Sequence, residues 1–363
     1  MNRRLLAITL SLCVGQTALA GENTLEAQQV GQANEAQVDQ FSGPVGQNMS
    51  GIKQFGDGNA ARVKQEQPSP GAPNTSDIEQ TGNGNTADVN QRNLNAALGS
   101  AIDQHGNDNT ARVEQTHSMG ENSSYVQQIG DGNEADVWQG GFITFNSSSI
   151  VQTGTGHKAV LDQGDGISTI RQDGERHTAE VLQGGLFARG RSTIIQTGAD
   201  NAVHLQQTGT DSGHDSTIEQ HGNLNDVHVL QLNGANESFI WMTGDLNTAD
   251  VTQNGLSDNQ STLNVQGFGN DVMVEQSTGS DVSGEIPVVN MSDIGINGSA
   301  NDVSVRQTAP LGINEAIIQV DGSSNSITLQ QTVPDGSTPG NPMMNSFVLH
   351  QTGNSNTVNV TQN

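Results

Sequence analysis

Ile78-Glu79-Gln80-Thr81-Gly82-Asn83-Gly84-Asn85-Thr86-Ala87-Asp88-Val89-Asn90-Gln91 decides the reading of this chain, because variants of it recur fourteen times along 363 residues. With its first Gln set as position zero, the zero positions are Gln29, Gln54, Gln80, Gln104, Gln128, Gln152, Gln172, Gln196, Gln220, Met242, Val265, Ile296, Val320 and Gln351. Gly stands two residues later in all fourteen copies, including Gly56, Gly82, Gly106, Gly130 and Gly353. Gln stands eleven residues later in all fourteen, including Gln65, Gln91, Gln115, Gln139 and Gln362. Asn fills plus five in twelve, among them Asn59, Asn85, Asn109, Asn133 and Asn356; His157 and His177 are the exceptions. Upstream, minus two is Ile, Val or Leu in all but the first copy (Ala27), minus four is Ser in eleven and minus six is Asn in ten.

These spacings dictate geometry. Minus six, minus four, minus two and zero share one parity, as do plus five, seven, nine and eleven, so each set lines one face of a strand. Parity flips across the x-Gly-x-x segment, which marks a tight arc whose Gly suits a positive φ. Each repeat is therefore strand, arc, strand, and stacking them gives an all-β, parallel, two-sheet β-solenoid of about fourteen rungs with the recurring residues inside. The second corner varies from two residues (Gly164-Asp165) to thirteen (Ser277 to Val289, and Thr332 to Met344), with a Pro-rich corner of eight from Glu66 to Pro73. Insertions restricted to one edge are what a stacked array tolerates.

Buried Gln and Asn are costly unless hydrogen-bonded. Identical amides stacked about 4.8 Å apart on in-register parallel strands satisfy one another. The zero column obeys this rule: it is Gln for nine copies, apolar for four (Met242 to Val320), and Gln again only at Gln351. On the outward plus-eight column, Arg62, Asp88, Arg112 and Asp136 alternate in sign and predict a surface charge ladder.

The first residues have another character. Arg3 and Arg4 precede an apolar run from Leu5 to Val14, and Ala18-Leu19-Ala20 forms a small-residue cleavage site. That order predicts a secretory signal peptide over residues 1–20, with a single β-solenoid over 21–363 and no membrane span. Cys13, the only cysteine, leaves with the leader, so no disulfide or thiolate site is expected. Removing Arg3 and Arg4 leaves 11 basic against 39 acidic residues, a net charge of −28, which argues against nucleic acid. Composition alone, with 3% aromatics and high charge, reads as disorder; the repeats overrule it.

The motif Gln-x-Gly-x-x-Asn-x-Ala-x-Val-x-Gln, clearest from Gln54 to Gln65, Gln80 to Gln91, Gln104 to Gln115 and Gln128 to Gln139, resembles the curlin repeat of curli fibre subunits. The resemblance covers nearly all of residues 21–363. Here Ser stands two places later than in curlin repeats, and no Gly-rich segment follows Gly21. The resemblance implies a secreted bacterial subunit that leaves through an outer-membrane export pore. It would then polymerise, with a nucleating subunit, into cell-surface amyloid fibres of the biofilm matrix that serve adhesion. Independently, end coils without evident caps are expected to template further copies. A minor nucleating subunit and a soluble β-solenoid adhesin are the alternatives.

Other motifs carry weaker readings. No paired carboxylates or metal cluster break the repeat, so neither an enzyme nor a cofactor is expected. Five glycosylation sequons, at Asn48, Asn74, Asn122, Asn146 and Asn290, fall on inward positions and read as structural. Gly-Asp-Gly-Asn at Gly56 and Gly130 lacks the tandem spacing of calcium repeats. His204 and His228 share plus eight in adjacent coils and read first as solvated residues, with a shared metal as the sharper option. His157 and His177 read first as a private two-member column, with assembly that loosens at low pH as the sharper option.

Overall fold

The structure is a computed structural model of the chain that describes residues 9–14, 23–43, 46–68, 72–93, 97–143, 145–185, 190–209, 213–279, 288–334 and 342–363. The expected leader falls largely on residues 1–8 and 15–22, outside the described residues. Thr9–Val14 is a strand, paired in parallel with Glu35–Ser42. Among the described residues every regular element is a strand, and no helix is long and apolar enough to cross a membrane.

Two compact units form, residues 1–176 and 177–363. In a solenoid each coil touches only its neighbours, so one repeat plan can divide this way without any change of architecture. Each unit is a β-solenoid of two parallel sheets in which successive strands alternate between the sheets. In the first unit, Asn48–Phe55, Asn74–Thr81, Leu98–His105 and Asn122–Asp131 stack in one sheet, while Ala60–Gln67, Thr86–Asn93, Thr110–Met119 and Glu134–Ile143 stack in the other. The second unit repeats the pattern from Thr178–Gly184 to Thr357–Gln362.

Register follows the repeat without slippage. Gln54 sits over Gln80, Gln80 over Gln104 and Gln104 over Gln128, and the plus-eleven column aligns Gln65, Gln91, Gln115 and Gln139 likewise. A slip of one residue would turn every inward side chain to solvent, so the buried face enforces the register. The interior alternates apolar and amide columns: Ile52, Ile78, Val63 and Val89 are fully buried beside Gln54, Gln80, Gln65 and Gln91.

The arcs explain the glycine column. φ is positive at plus two in all fourteen coils, from +109° at Gly353 to +149° at Gly298. Stacking adds a second constraint: a Cβ on Gly56, Gly82, Gly106 or Gly130 would overlap the backbone carbonyl of the glycine one coil further on. The plus-four residue is left-handed in every arc as well, and there Gly58 and Gly84 alternate with residues such as Asp108, Leu224 and Leu246. Periodicity gave no sign of this second left-handed position, because the residue type there varies from coil to coil. In the second unit the long corners shelter a satellite cluster of Val288, Ala309 and Val333, with Leu311 packed on it.

Candidate functional site

The chemistry of this chain lies in its amide columns. In the plus-eleven column, each Gln Nε2 donates to the Oε1 of the Gln one coil further on: Gln40 to Gln65, Gln65 to Gln91, Gln91 to Gln115 and Gln115 to Gln139, each at 2.8 Å. The second amide hydrogen crosses to a backbone carbonyl of the opposite sheet in the same coil, as from Gln65 to Met49 (3.0 Å), Gln91 to Thr75 (2.9 Å) and Gln115 to Gly99 (2.9 Å). The second unit repeats this through Gln276, Gln307, Gln331 and Gln362. Both donors of each amide are thus used in a buried interior, where a lone donor would be costly.

The zero column works in the same sense. Gln29 donates to Gln54 (2.6 Å), and Gln54, Gln80, Gln104 and Gln128 pass the bond on at 2.8 Å to Gln152. Its spare hydrogens reach the carbonyls of Glu35, Ala60, Thr86 and Thr110, each belonging to the preceding coil. One column therefore ties the sheets together within a coil and the other ties them between coils. At the expected switch, Gln220 still accepts from Gln196 and donates to Ala202, and Met242, Val265, Ile296 and Val320 continue the column as buried apolar side chains. Gln351 joins no ladder: Val320 beneath it offers no amide, and its Nε2 turns to the carbonyl of Thr352 (3.3 Å).

Asn at plus five holds the arcs. The amides of Asn59, Asn85 and Asn109 donate to the carbonyls of Gly82, Gly106 and Gly130, and each Oδ1 accepts the backbone N–H of the next coil's plus-five residue. Asn356 continues this from Asn325, and Asn325 in turn donates to the carbonyl of Gly353. A plus-three column, missed in the sequence, adds to the grip. Asp57 accepts the N–H of Gln32, Asn83 that of Asp57, Asn107 that of Asn83 and Asp131 that of Asn107. The Gly-Asp-Gly-Asn segments are thus arcs whose carboxylates receive backbone N–H groups. Asx residues at that spacing were the available signal.

The remaining sequence readings divide. All five sequon asparagines are buried, as expected of inward positions. Arg62, Asp88, Arg112 and Asp136 do align on adjacent strands, but the expected ion-pair ladder does not form. Arg112 pairs instead with Glu114 along its own strand at 2.9 Å, where the carboxylate two residues on lies on the same outward face. The Ser hydroxyls at minus four are buried, and those of Ser76, Ser100 and Ser124 have no hydrogen-bonding protein partner.

His157 in the first unit is buried and bonds the Thr153 carbonyl at 3.0 Å, and burial pushes its pKa below the ordinary value. His177 in the second unit is buried too, and its Nδ1 accepts the N–H of Asn201 at 3.2 Å.

The last coil, Met344–Thr352 and Thr357–Gln362, pairs on one side only. Its inward amides Gln351, Asn356 and Gln362 are half-buried where their Gln and Asn equivalents within the stack are covered. Gln362 accepts from Gln331 (2.7 Å) and spends one amide hydrogen on Ser346, so its other hydrogen faces the open side. Among the described residues, the backbone edge and amides of this coil have no pairing strand on that side. No known protein-family model matches the chain, and no curated protein matches its sequence.

Proposed function

We propose that this chain is the structural subunit of an extracellular, curli-like amyloid fibre, growing end to end as the last coil of one copy receives the first coil of the next. The observation that carries the reading is the open coil itself: a ladder whose donors point outward and whose register is already fixed. A contact of that kind joins unlike ends and does not close, so it propagates. Removal of residues 1–20 supports growth from the other end as well. Thr9–Val14 would leave with the leader and bare the edge of Glu35–Ser42. The dense negative charge opposes lateral clumping before assembly. Secretion, an export pore, a nucleating partner and a role in biofilm adhesion follow from the curlin resemblance.

The test uses the chain without residues 1–20. Thioflavin-positive fibres with a meridional reflection near 4.8 Å are expected. Gly353→Ala adds local strain at φ +109°, but its Cβ meets no atom nearer than 3.5 Å within the chain, so the far-UV spectrum of the monomer should keep its strand signature. Elongation should slow at least tenfold, since the same Cβ would strike the arc of an incoming coil. A chain that stays monomeric for weeks at high concentration, or a Gly353→Ala variant that elongates at the parental rate, would end the proposal.

A further inference from the structure

The outer face of the second unit carries a line of ligand-type side chains that the fibre reading does not use. Glu180, His204, His228 and Asp250 occupy plus eight in consecutive coils, and the strand register places each directly over the next. Nothing in the amide columns requires these residue types there, and the same column continues as Met273 and Ser304.

We propose that His204 and His228, with the Asp250 carboxylate, form a surface site for a divalent transition metal of the zinc class. The two imidazole centres lie 5.5 Å apart with their planes tilted by 42°. Two imidazoles sharing one tetrahedral zinc, with Zn–N bonds of about 2.0–2.1 Å, have centres roughly 5.2 Å apart, so the backbone already holds the rings at chelating distance. Glu180 Oε2 lies 3.2 Å from His204 Nδ1. A proton held there leaves the Nε2 lone pair for the metal, the carboxylate–histidine arrangement that orients metal ligands. Asp226, 3.9 Å from His228 Nε2, lies beyond hydrogen-bonding distance and adds negative charge beside the second ring.

His204, His228 and Asp250 border one shallow groove of about 220 Å³ together with Gln206 and Thr252. In the conformations observed no three ligating groups converge among the described residues. The site closes by side-chain rotation alone, which exposed residues make freely: His204 and His228 keep 42% and 59% of their side-chain surface. The carboxylates of Glu180, Asp226 and Asp250 beside the two imidazoles favour a cation there. Imidazole with carboxylate suits zinc over calcium or magnesium, which favour all-oxygen cages.

Calorimetric titration of the purified full chain with zinc tests this, with calcium and magnesium as comparisons. One strong equivalent of zinc with a micromolar Kd is expected, weakened at least tenfold by His204→Asn and by His228→Asn and several-fold by Asp250→Asn. Glu180→Gln should weaken it less, and His350→Asn should leave it unchanged. Zinc should raise the unfolding temperature of the parent and not that of the His204→Asn/His228→Asn variant, whose spectrum in the absence of metal should match the parent. A double variant that binds zinc as the parent does, or a parent without zinc affinity below millimolar, would overturn the assignment.

Discussion

Replacing Gln91 by Leu removes one rung from a continuous ladder, and the cost can be worked from the bonds it makes. Gln65 loses the acceptor for one amide hydrogen and Gln115 loses the donor to its Oε1, both fully buried. Each orphaned group costs about 1–3 kcal/mol, so the single substitution should destabilise by roughly 2–6 kcal/mol. Replacing Gln65, Gln91 and Gln115 together orphans the same number of side-chain groups, now on Gln40 and Gln139. Beyond these amide groups, the single variant takes a donor from the Thr75 carbonyl and the triple takes donors from the Met49, Thr75 and Gly99 carbonyls, so the triple variant should cost less than twice as much as the single one, short of three times. Guanidinium unfolding followed by far-UV circular dichroism measures both. Additive losses across the three positions would refute column energetics and leave each Gln as an independent buried amide.

Further outcomes follow from the arcs and from the buried histidine. Gly106→Ala should cost more than about 3 kcal/mol or open the stack, because strain at φ +126° is joined by overlap with Gly130, whereas Gly58→Ala should cost only about 1–2 kcal/mol. Denaturant midpoints of the two variants decide this. Leu246, exposed and left-handed at φ +58°, should gain roughly 1 kcal/mol on substitution by Gly, and a loss of stability would contradict the strain assigned there.

Burial lowers the pKa of His157, so the unfolded chain takes up a proton that the fold refuses. That contribution is intact above about pH 6.5 and erodes as pH falls below it, by up to ~1.4 kcal/mol per pH unit. His214, lowered by burial in the second unit, acts with the same sign. His157→Asn should flatten the acid limb in part, and an unchanged pH slope would contradict the assignment.

Much of this fold is legible in the sequence because a stacked array repeats its physics. The constant eleven-residue spacing from Gln54 to Gln65, or from Gln80 to Gln91, fixes strand parity, arc length and register at once. The block switch from Gln220 to Met242 reveals which residues touch. What stayed hidden depends on backbone phase. The crossing of Gln91 to the Thr75 carbonyl and of Gln54 to that of Glu35 follows from where carbonyls point between sheets, which side-chain periodicity does not record. Arg112 chose Glu114 over Asp88 and Asp136 because a long side chain reaches along its strand as readily as across it. Gln351 matched the motif, yet its neighbour Val320 breaks the column, so its place in a ladder depends on what stacks above it.

The account stands on buried Gln amides that complete one another's bonding from coil to coil. Hydrogen exchange of Gln side-chain NH₂ groups, resolved by NMR on the assigned chain, measures that directly. Gln54, Gln65, Gln80, Gln91, Gln104 and Gln115 should hold both amide protons orders of magnitude longer than exposed Gln266 and Gln330. Exchange of the column amides at the rate of those surface residues would show them open to water and contradict the ladder.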